Sequence, residues 1–362
     1  MLRMPLNNKI NMRILKFTLA AVFALLMTSC LTNAILSTVL VDKKLIKMRA
    51  GGDTEVVNVK CAVSVHAKAS ESWIHLSATS FGTNLGDGYD LVITTDASTS
   101  TSMTSGYVRI YIDDESYADV KVERDGRNDS EVRDIEGHSY GVARINGKYW
   151  MTENLRCLTY DTESELYGKK VTLTENGIGF TGRACVDPSK MSDLGTMESY
   201  KNSMGYLYNW IGAMGLTADE AISMKEEGEY DGRKRQGICP NGFRLPTYSE
   251  LSSLASFADG QAGMGKGGKF LKTTVGWDSS KGNGTDGCGF HAYPCGVYKN
   301  GAYNSKPGFR TSFWASTSKK TVSDPGTHKC CMGLPSVGGK DDVVTETGHY
   351  ENEGMSVRCV RK

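Results

Sequence analysis

The 362-residue sequence holds ten cysteines and six histidines, the side chains best suited to nucleophilic or metal chemistry. A thiol next to an imidazole is the minimal nucleophile–base pair, since the ring takes the proton and leaves a thiolate. Two stretches bring the types together: His328-Lys329-Cys330-Cys331, and His291 between Cys288 and Cys295. Closeness along the chain does not fix geometry, and a cysteine tied up in a disulfide cannot attack. A cysteine-dependent enzyme is therefore the least favoured reading, and no catalytic residue is assigned. Metal binding has as little support. The histidines stand at 66, 75, 138, 291, 328 and 349, with none spaced i, i+3 or i, i+4. The cysteines form neither a CxxC pair nor a zinc-type spacing, and there is no EF-hand run of acids. Asp341-Asp342 with Glu346 reads better as a solvated acidic turn than as a calcium loop. No metal and no cofactor is expected.

Aromatic recognition is the remaining chemistry. Tyr293, Tyr298, Tyr303, Phe309, Phe313 and Trp314 crowd residues 290–315 among Gly, Asn and Lys. Flat rings beside amide and hydroxyl groups suit the C–H faces of sugars and suit protein interfaces equally well. The ligand-binding candidates are Tyr293, Tyr298 and Tyr303.

Composition sets the frame around these residues. Lys plus Arg number 42 against 41 Asp plus Glu, a net charge of +1, with no basic cluster to neutralise phosphates; nucleic acid is excluded as a partner. Hydrophobic content of 39% and charged content of 23% describe a globular chain, and its length argues for two domains. Glycine at 41 residues against 8 prolines points to tight turns and β structure, and ten cysteines point to an oxidising compartment.

The charge is unevenly spread. Residues 1–30 carry Arg3, Lys9, Arg13 and Lys16 and no acid, so the rest holds 38 basic against 41 acidic residues, a net of −3. Residues 17–27 (FTLAAVFALLM) are an apolar core too short to span a bilayer, followed by Thr28-Ser29-Cys30. This arrangement resembles a bacterial lipoprotein signal, although Met27 stands where that family prefers Leu. The resemblance implies a signal peptide over 1–29, lipidation at Cys30 and a tether over 30–37. It also implies an outer-membrane lipid anchor, with the cell surface favoured over the periplasmic face. A plain signal peptide and an uncleaved anchor that uses the apolar residues 35–41 are the alternatives, and either Met1 or Met12 serves as the start.

Beyond the tether the pattern has period 2. Val57, Val59, Cys61, Val63 and Val65 alternate with polar neighbours; Leu91 and Ile93, then Val108, Ile110 and Ile112, then Ala118, Val120 and Val122 repeat the pattern. An all-β sandwich is expected over 38–125, with Cys61 a small buried residue. Ala50-Gly51-Gly52, Ser72-Trp73-Ile74-His75-Leu76 and the ending Val120-Lys121-Val122-Glu123-Arg124-Asp125-Gly126 resemble a BACON domain, an immunoglobulin-like sandwich of secreted Bacteroidetes proteins. That family's name implies carbohydrate binding. Trp73 would then stack on a sugar or, as favoured, plug the sandwich.

Residues 126–133 are polar and without period, and are read as a linker. The second domain, 134–362, opens with a hairpin around Asn146-Gly147. A first helix is expected from Met204, Leu207, Ile211 and Met214, and a second from Thr247 with Glu250 as a capping box. Eight ordered motifs then carry a second resemblance: Asp134–Tyr140 (DIEGHSY), Trp150–Leu155 (WMTENL), Gly205–Trp210 (GYLYNW), Cys239–Thr247 (CPNGFRLPT), Gly276-Trp277, Gly289-Phe290, Phe313–Ser316 (FWAS) and Ser356–Val360 (SVRCV). Together they resemble the Fibrobacter succinogenes major paralogous domain, with Phe243 where Trp is usual. The resemblance implies an α+β, C-type-lectin-like fold, two helices flanking a sheet, held by disulfides. It also implies a Cys239–Cys359 bridge; Cys157–Cys185 and Cys288–Cys295 are expected as local bridges, while eight cysteines allow 105 pairings in all. Calcium-dependent sugar motifs of true C-type lectins are absent.

The sequence thus describes a lipid-anchored envelope protein that binds a glycan or protein without catalysis. A structural subunit of a surface appendage or envelope assembly is the alternative.

Overall fold

The computed structural model describes residues 38–175, 182–217, 219–220, 235–278, 282–320, 327–335 and 342–362. Residues 1–37, on which the expected signal peptide, Cys30 lipidation and tether fall, lie outside the described residues. Two compact units divide the chain. One comprises the chain up to Met48 with Thr54–Asp96 and Met103–Asp125; the other comprises Arg49–Asp53, Ala97–Ser102 and Gly126–Lys362.

In the first unit, alternation becomes sheet. Its strands are β1 (Leu40–Val41), β2 (Leu45–Met48), β3 (Asp53–Lys60), β4 (Val65–Ala69), β5 (Ile74–Leu76), β6 (Ser80–Phe81), β7 (Tyr89–Thr95), β8 (Thr104–Tyr111) and β9 (Tyr117–Arg124). They form two sheets, ordered β1-β3-β7-β5 and β2-β9-β8-β4-β6. Val57 and Val59, Leu91 and Ile93, Val108 and Ile110, and Val120 and Val122 are all fully buried in one shared core. A residue pointing into that core is followed by one pointing to solvent, because successive strand side chains leave on opposite faces. The run 57–65 is not one strand: β3 stops at Lys60, Val63 is exposed in the turn, and Val65 starts β4. Trp73 packs on the core with the Arg124 guanidinium 4.1 Å over its ring, so it plugs the sandwich.

The second unit corrects the expected fold class. Strand makes up 38% of the structure and helix 13%, with three α-helices among the described residues, so the α+β C-type-lectin-like expectation fails. The helices are α1 (Trp210–Met214), α2 (Tyr248–Ala262) and α3 (Gly267–Leu271). The expected first helix shrinks to α1 because Asn209 caps it, accepting from the Gly212 amide at 2.9 Å. Upstream of that cap, Leu207 and Tyr208 pair as a strand with neighbours on both sides. The apolar spacing of Met204 and Leu207 is real, but it serves a loop and strand buried in a satellite core. Helix α2 forms as expected, with Thr247 and Glu250 completing the capping box.

Around these helices run β10 (Glu131–Arg133), β11 (Ser139–Ile145), β12 (Lys148–Met151), β13 (Thr172–Thr174), β14 (Ala184–Val186), β15 (Leu207–Tyr208), β16 (Phe243–Arg244), β17 (Val297–Lys299), β18 (Ala302–Ser305), β19 (Arg310–Lys320), β20 (Thr327–Pro335), β21 (Val344–His349), β22 (Met355–Ser356) and β23 (Val360–Arg361). Their sheets are ordered β10-β11-β12-β23-β16, β13-β14-β15-β22-β19-β20-β21 and β17-β18. The stretch read as a linker contains β10, which pairs with β11. Asn146 and Gly147 turn the β11–β12 hairpin at φ values of 47° and 78°, the left-handed conformation that a type I′ turn needs.

The β19–β20 ribbon is buried on both faces. Phe313, Ala315, Met332 and Leu334 face α2 and its Leu251, Leu254 and Ala258, while Trp314 and Cys331 face a second core with Tyr208 and Trp210. Cys239 and Cys359 are bridged across 120 residues. The other two expected bridges are absent. Cys157 and Cys185 are buried free thiols. Tyr208 spans between them, paired in register with Cys185 while its hydroxyl donates to the Cys157 carbonyl at 2.7 Å. Cys288 and Cys295, also free, pack against different cores.

Candidate functional site

The outward face of the second sandwich sheet gathers polar and aromatic side chains into rows. His66 and Lys68 leave β4 outward, Tyr107, Arg109 and Tyr111 leave β8, and Tyr117, Asp119 and Lys121 leave β9, each alternating with buried or half-buried neighbours. Register sets the neighbours. His66 stands opposite Tyr111 and Lys68 opposite Arg109. On the other side of β8, Arg109 faces Asp119 and Tyr111 faces Tyr117. Arg109 grips Asp119 through two hydrogen bonds of 2.9 and 2.8 Å and lies 3.9 Å over the Tyr117 ring. That clamp holds the guanidinium between Tyr117 and Tyr107, the latter 5.8 Å away. The His66 and Tyr111 rings lie 5.6 Å apart.

Beside this row opens a groove of about 270 Å³ lined by Lys68, Ala69, Ser70, Tyr107, Arg109, Tyr111, Asp113 and Asp114. Asp113 shapes its rim by accepting from the Ser116 and Glu115 amides at 2.7 and 3.0 Å, and these bonds hold its carboxyl below the usual carboxylate range. Tyr107 is 46% exposed, far above what packing alone requires of an aromatic side chain. The arrangement offers ring faces for apolar contact, a cation and carboxylates for directed hydrogen bonds, and access from solvent. Sequence reasoning passed over it. The signal was present in Tyr107-Val108-Arg109-Ile110-Tyr111, where both tyrosines occupy the solvent phase of a strand whose other phase is aliphatic.

The residues singled out from the sequence have a different place. Tyr298 is fully buried. Tyr293 and Tyr303 are half-buried and pack on the same satellite core as Tyr298, Met204, Leu207 and Cys295, with the Tyr298 and Tyr303 rings edge to face at 5.5 Å. The structure brings the three together, but around a core rather than an opening. Cys295 donates to the Met204 carbonyl at 3.2 Å and accepts from Asn154 Nδ2 at 3.1 Å, so it too is a packing residue. His328 and Cys330 have no described side chain.

A second cluster was invisible in one dimension. Cys331 Sγ donates to Glu346 Oε2 at 3.7 Å, and His349 Nε2 lies 3.1 Å from the same oxygen. His349 Nδ1 is 2.7 Å from Glu353, and Arg310 holds both oxygens of Glu346 at 2.7 and 2.6 Å. Burial works against a charged His349, but hydrogen bonds with Cys331, Glu346 and Glu353 prevail and push it up to about 11. The hydrogen bond from His349, against burial and with help from Arg310, pulls Glu346 down to about 2. Burial pushes the Cys331 thiol up, with the His349 hydrogen bond opposing. Cys331, Glu346 and His349 are the set of metal-ligating atoms that falls within 4.8 Å among the described residues.

Residues 143–361 match the Fibrobacter succinogenes major domain, more than half of the chain, and the chain belongs to this family. No curated protein matches it. Among solved structures, a Bacteroides ovatus GH5 xyloglucanase in complex with a XXXG heptasaccharide is 17% identical with a TM-score of 0.22, covering 27% of this chain and 21% of the xyloglucanase. A Bacteroides thetaiotaomicron protein solved by NMR is 11% identical with a TM-score of 0.18, covering 25% and 89% of the two chains. The Escherichia coli chaperone DraB is 11% identical with a TM-score of 0.21, covering 37% and 79%. Likenesses this slight carry no argument about function. This chain spans about a fifth of the xyloglucanase's length. Among the described residues no helix is long and apolar enough to cross a membrane.

Proposed function

We propose that the chain is a cell-envelope lipoprotein, lipidated at Cys30 and held at the outer membrane facing the cell exterior, that binds a glycan without catalysis. The binding surface is the groove beside Tyr107, Arg109 and Tyr111, and the unit that carries it is a BACON-like sandwich. The observation that supports this reading is the solvent-facing Tyr107–Arg109–Tyr111 row opening onto a groove with Lys68, Asp113 and Asp114 on its walls. Sugars present C–H faces that stack on phenol rings and hydroxyls that bond to charged and amide groups, and this surface offers both. Burial of Cys157, Cys185, Cys295 and Cys331 as thiols pushed above their ordinary range supports a non-enzymatic role, since the thiolate is the nucleophile.

The test is a glycan array probed with the mature full-length chain, followed by titration of any hit. Binding that disappears in Tyr107→Ala/Tyr111→Ala supports the reading. An array without hits, combined with self-association of the chain, favours a structural subunit of an envelope assembly; capture of a protein ligand through the same groove replaces the glycan by a protein. Mass spectrometry of the mature amino terminus tests the anchor, and an unmodified Cys30 in an intact chain defeats it.

A further inference from the structure

The second cluster belongs to the second unit and takes no part in the groove proposed to bind a glycan. Trp314, Cys331 and Glu346 stand side by side on three neighbouring strands, since Trp314 pairs with Cys331 and Cys331 pairs with Glu346. Their side chains therefore share one sheet face. His349 is three residues beyond Glu346, a spacing that ordinarily sends the two side chains to opposite faces. Here the strand bulges: the β20–β21 register shifts between Lys329 and Cys331, and Gly348 takes φ 103°, which a residue with a Cβ rarely adopts. His349 is thereby delivered onto the same face, with its ring edge to face against Trp314 at 6.3 Å. Gly333 makes room for the Arg310 guanidinium that holds Glu346, because a Cβ there would sit 2.5 Å from it.

We propose that Cys331 Sγ, His349 Nε2 and a Glu346 carboxylate oxygen are three ligands of a zinc ion, with Glu353 as the outer carboxylate that orients the histidine. Size supports this assignment. The three donor atoms lie within 4.8 Å of one another, with Glu346 Oε2 at 3.1 Å from His349 Nε2 and 3.7 Å from Cys331 Sγ. A tetrahedral zinc with bonds of about 2.0–2.3 Å needs its ligands roughly 3.3–3.8 Å apart, so closing the set requires shifts of about 1 Å or less. Ligand chemistry narrows the ion. One thiolate, one imidazole and one carboxylate suit zinc, whereas calcium and magnesium take all-oxygen shells.

The outer shell is in place as well. Glu353 Oε2 lies 2.7 Å from His349 Nδ1, and its side chain is 2% exposed and pinned by Lys299 at 2.8 Å. A carboxylate on Nδ1 holds the proton there, so an incoming metal ion displaces the proton on Nε2, and that on the Cys331 thiol, to solvent and takes the lone pairs they leave. Arg310 sits on both oxygens of Glu346; on metal binding it keeps one while the other turns to the ion. With three protein ligands the ion retains a fourth position. Cys331 is fully buried, but the Glu346 and His349 side chains are 27% and 19% exposed, which leaves a way in for an ion.

The experiment uses the full chain, freed of metal by a chelator, with Cys331 verified as a free thiol by mass spectrometry. Zinc and cobalt(II) are the probes. The expected result is one zinc per chain, and for cobalt a thiolate-to-metal charge-transfer band. Cys331→Ser abolishes that band, His349→Ala weakens zinc binding at least tenfold, and Glu353→Gln weakens it about 10–100-fold while the band remains. Thermal melts of the metal-free variants separate loss of a ligand from loss of fold, and Cys331→Ala, apolar and small, serves as a second thiol deletion if the serine variant unfolds. The proposal is overturned by a Cys331 engaged in a disulfide, by failure of the folded thiol form to take up zinc, or by stoichiometric zinc that survives in folded Cys331→Ala and His349→Ala.

Discussion

Tyr107, Tyr111 and Tyr117 in the first unit and Tyr293, Tyr298 and Tyr303 in the second are the same side chain in opposite surroundings. The first trio stands on the solvent phase of strands whose other phase builds the sandwich core, and Tyr107 and Tyr117 are 46% and 45% exposed. The second trio closes a satellite core with Met204 and Leu207, and Tyr298 has no exposed surface. An aromatic row stays open to solvent when something else fills the core beneath it, as Val108, Ile110, Val120 and Val122 do under the first trio. In 290–315 aliphatic residues are scarce, so the aromatics have to be the core themselves.

Substitution separates the two trios. Tyr298→Ala should destabilise the chain by about 3–5 kcal/mol, the usual cost of removing a buried aromatic side chain, measured by denaturant unfolding. An effect on the scale of a surface change would return Tyr298 to the ligand-binding candidates. The second unit also depends on its bridge: Cys239→Ser/Cys359→Ser should cost about 2–5 kcal/mol and expose sites within 126–362 to limited proteolysis. The capping box contributes less, and Thr247→Ala should cost about 1 kcal/mol.

Glu250 adds a pH signature to that cap. Burial raises its pKa, but Arg244, the Thr247 amide and Lys148 prevail and bring it to about 2 from an ordinary 4.5. Because the folded value is depressed, its stabilising contribution is complete above pH 4.5 and fades as pH falls toward 2. Glu250→Gln should therefore lower the melting temperature at pH 7 and narrow the gap between the pH 7 and pH 3 melts. The smallest effect on stability belongs to Tyr107→Ala, expected within about 0.5 kcal/mol of the parent.

Regular structure was legible wherever local rules act alone. Period-2 alternation located the sandwich strands, Asn146-Gly147 located the hairpin, and Thr247 with Glu250 located the start of α2. The family motifs located the Cys239–Cys359 bridge. Failures came where long-range pairing overrode local spacing. Met204 and Leu207 have helical spacing, yet β14 and β22 recruit Leu207 into a sheet. Cys157 and Cys185 are close enough in sequence to suggest a bridge, but Tyr208 spans between them. The Cys331–Glu346–His349 cluster depends on a register shift and the φ of Gly348, neither of which leaves a mark in spacing. The Tyr107 row is legible in YVRIY, which states its own phase, but the denser aromatics of 290–315 give the stronger signal in composition.

Recognition is proposed to belong to the exposed tyrosines. It is tested most directly by isothermal titration of the full-length chain, and of Tyr107→Ala/Tyr111→Ala, with the strongest glycan found on the array. At least a tenfold loss of affinity is expected in the variant, with an unchanged melting temperature. Equal affinity in the variant and the parent would contradict it.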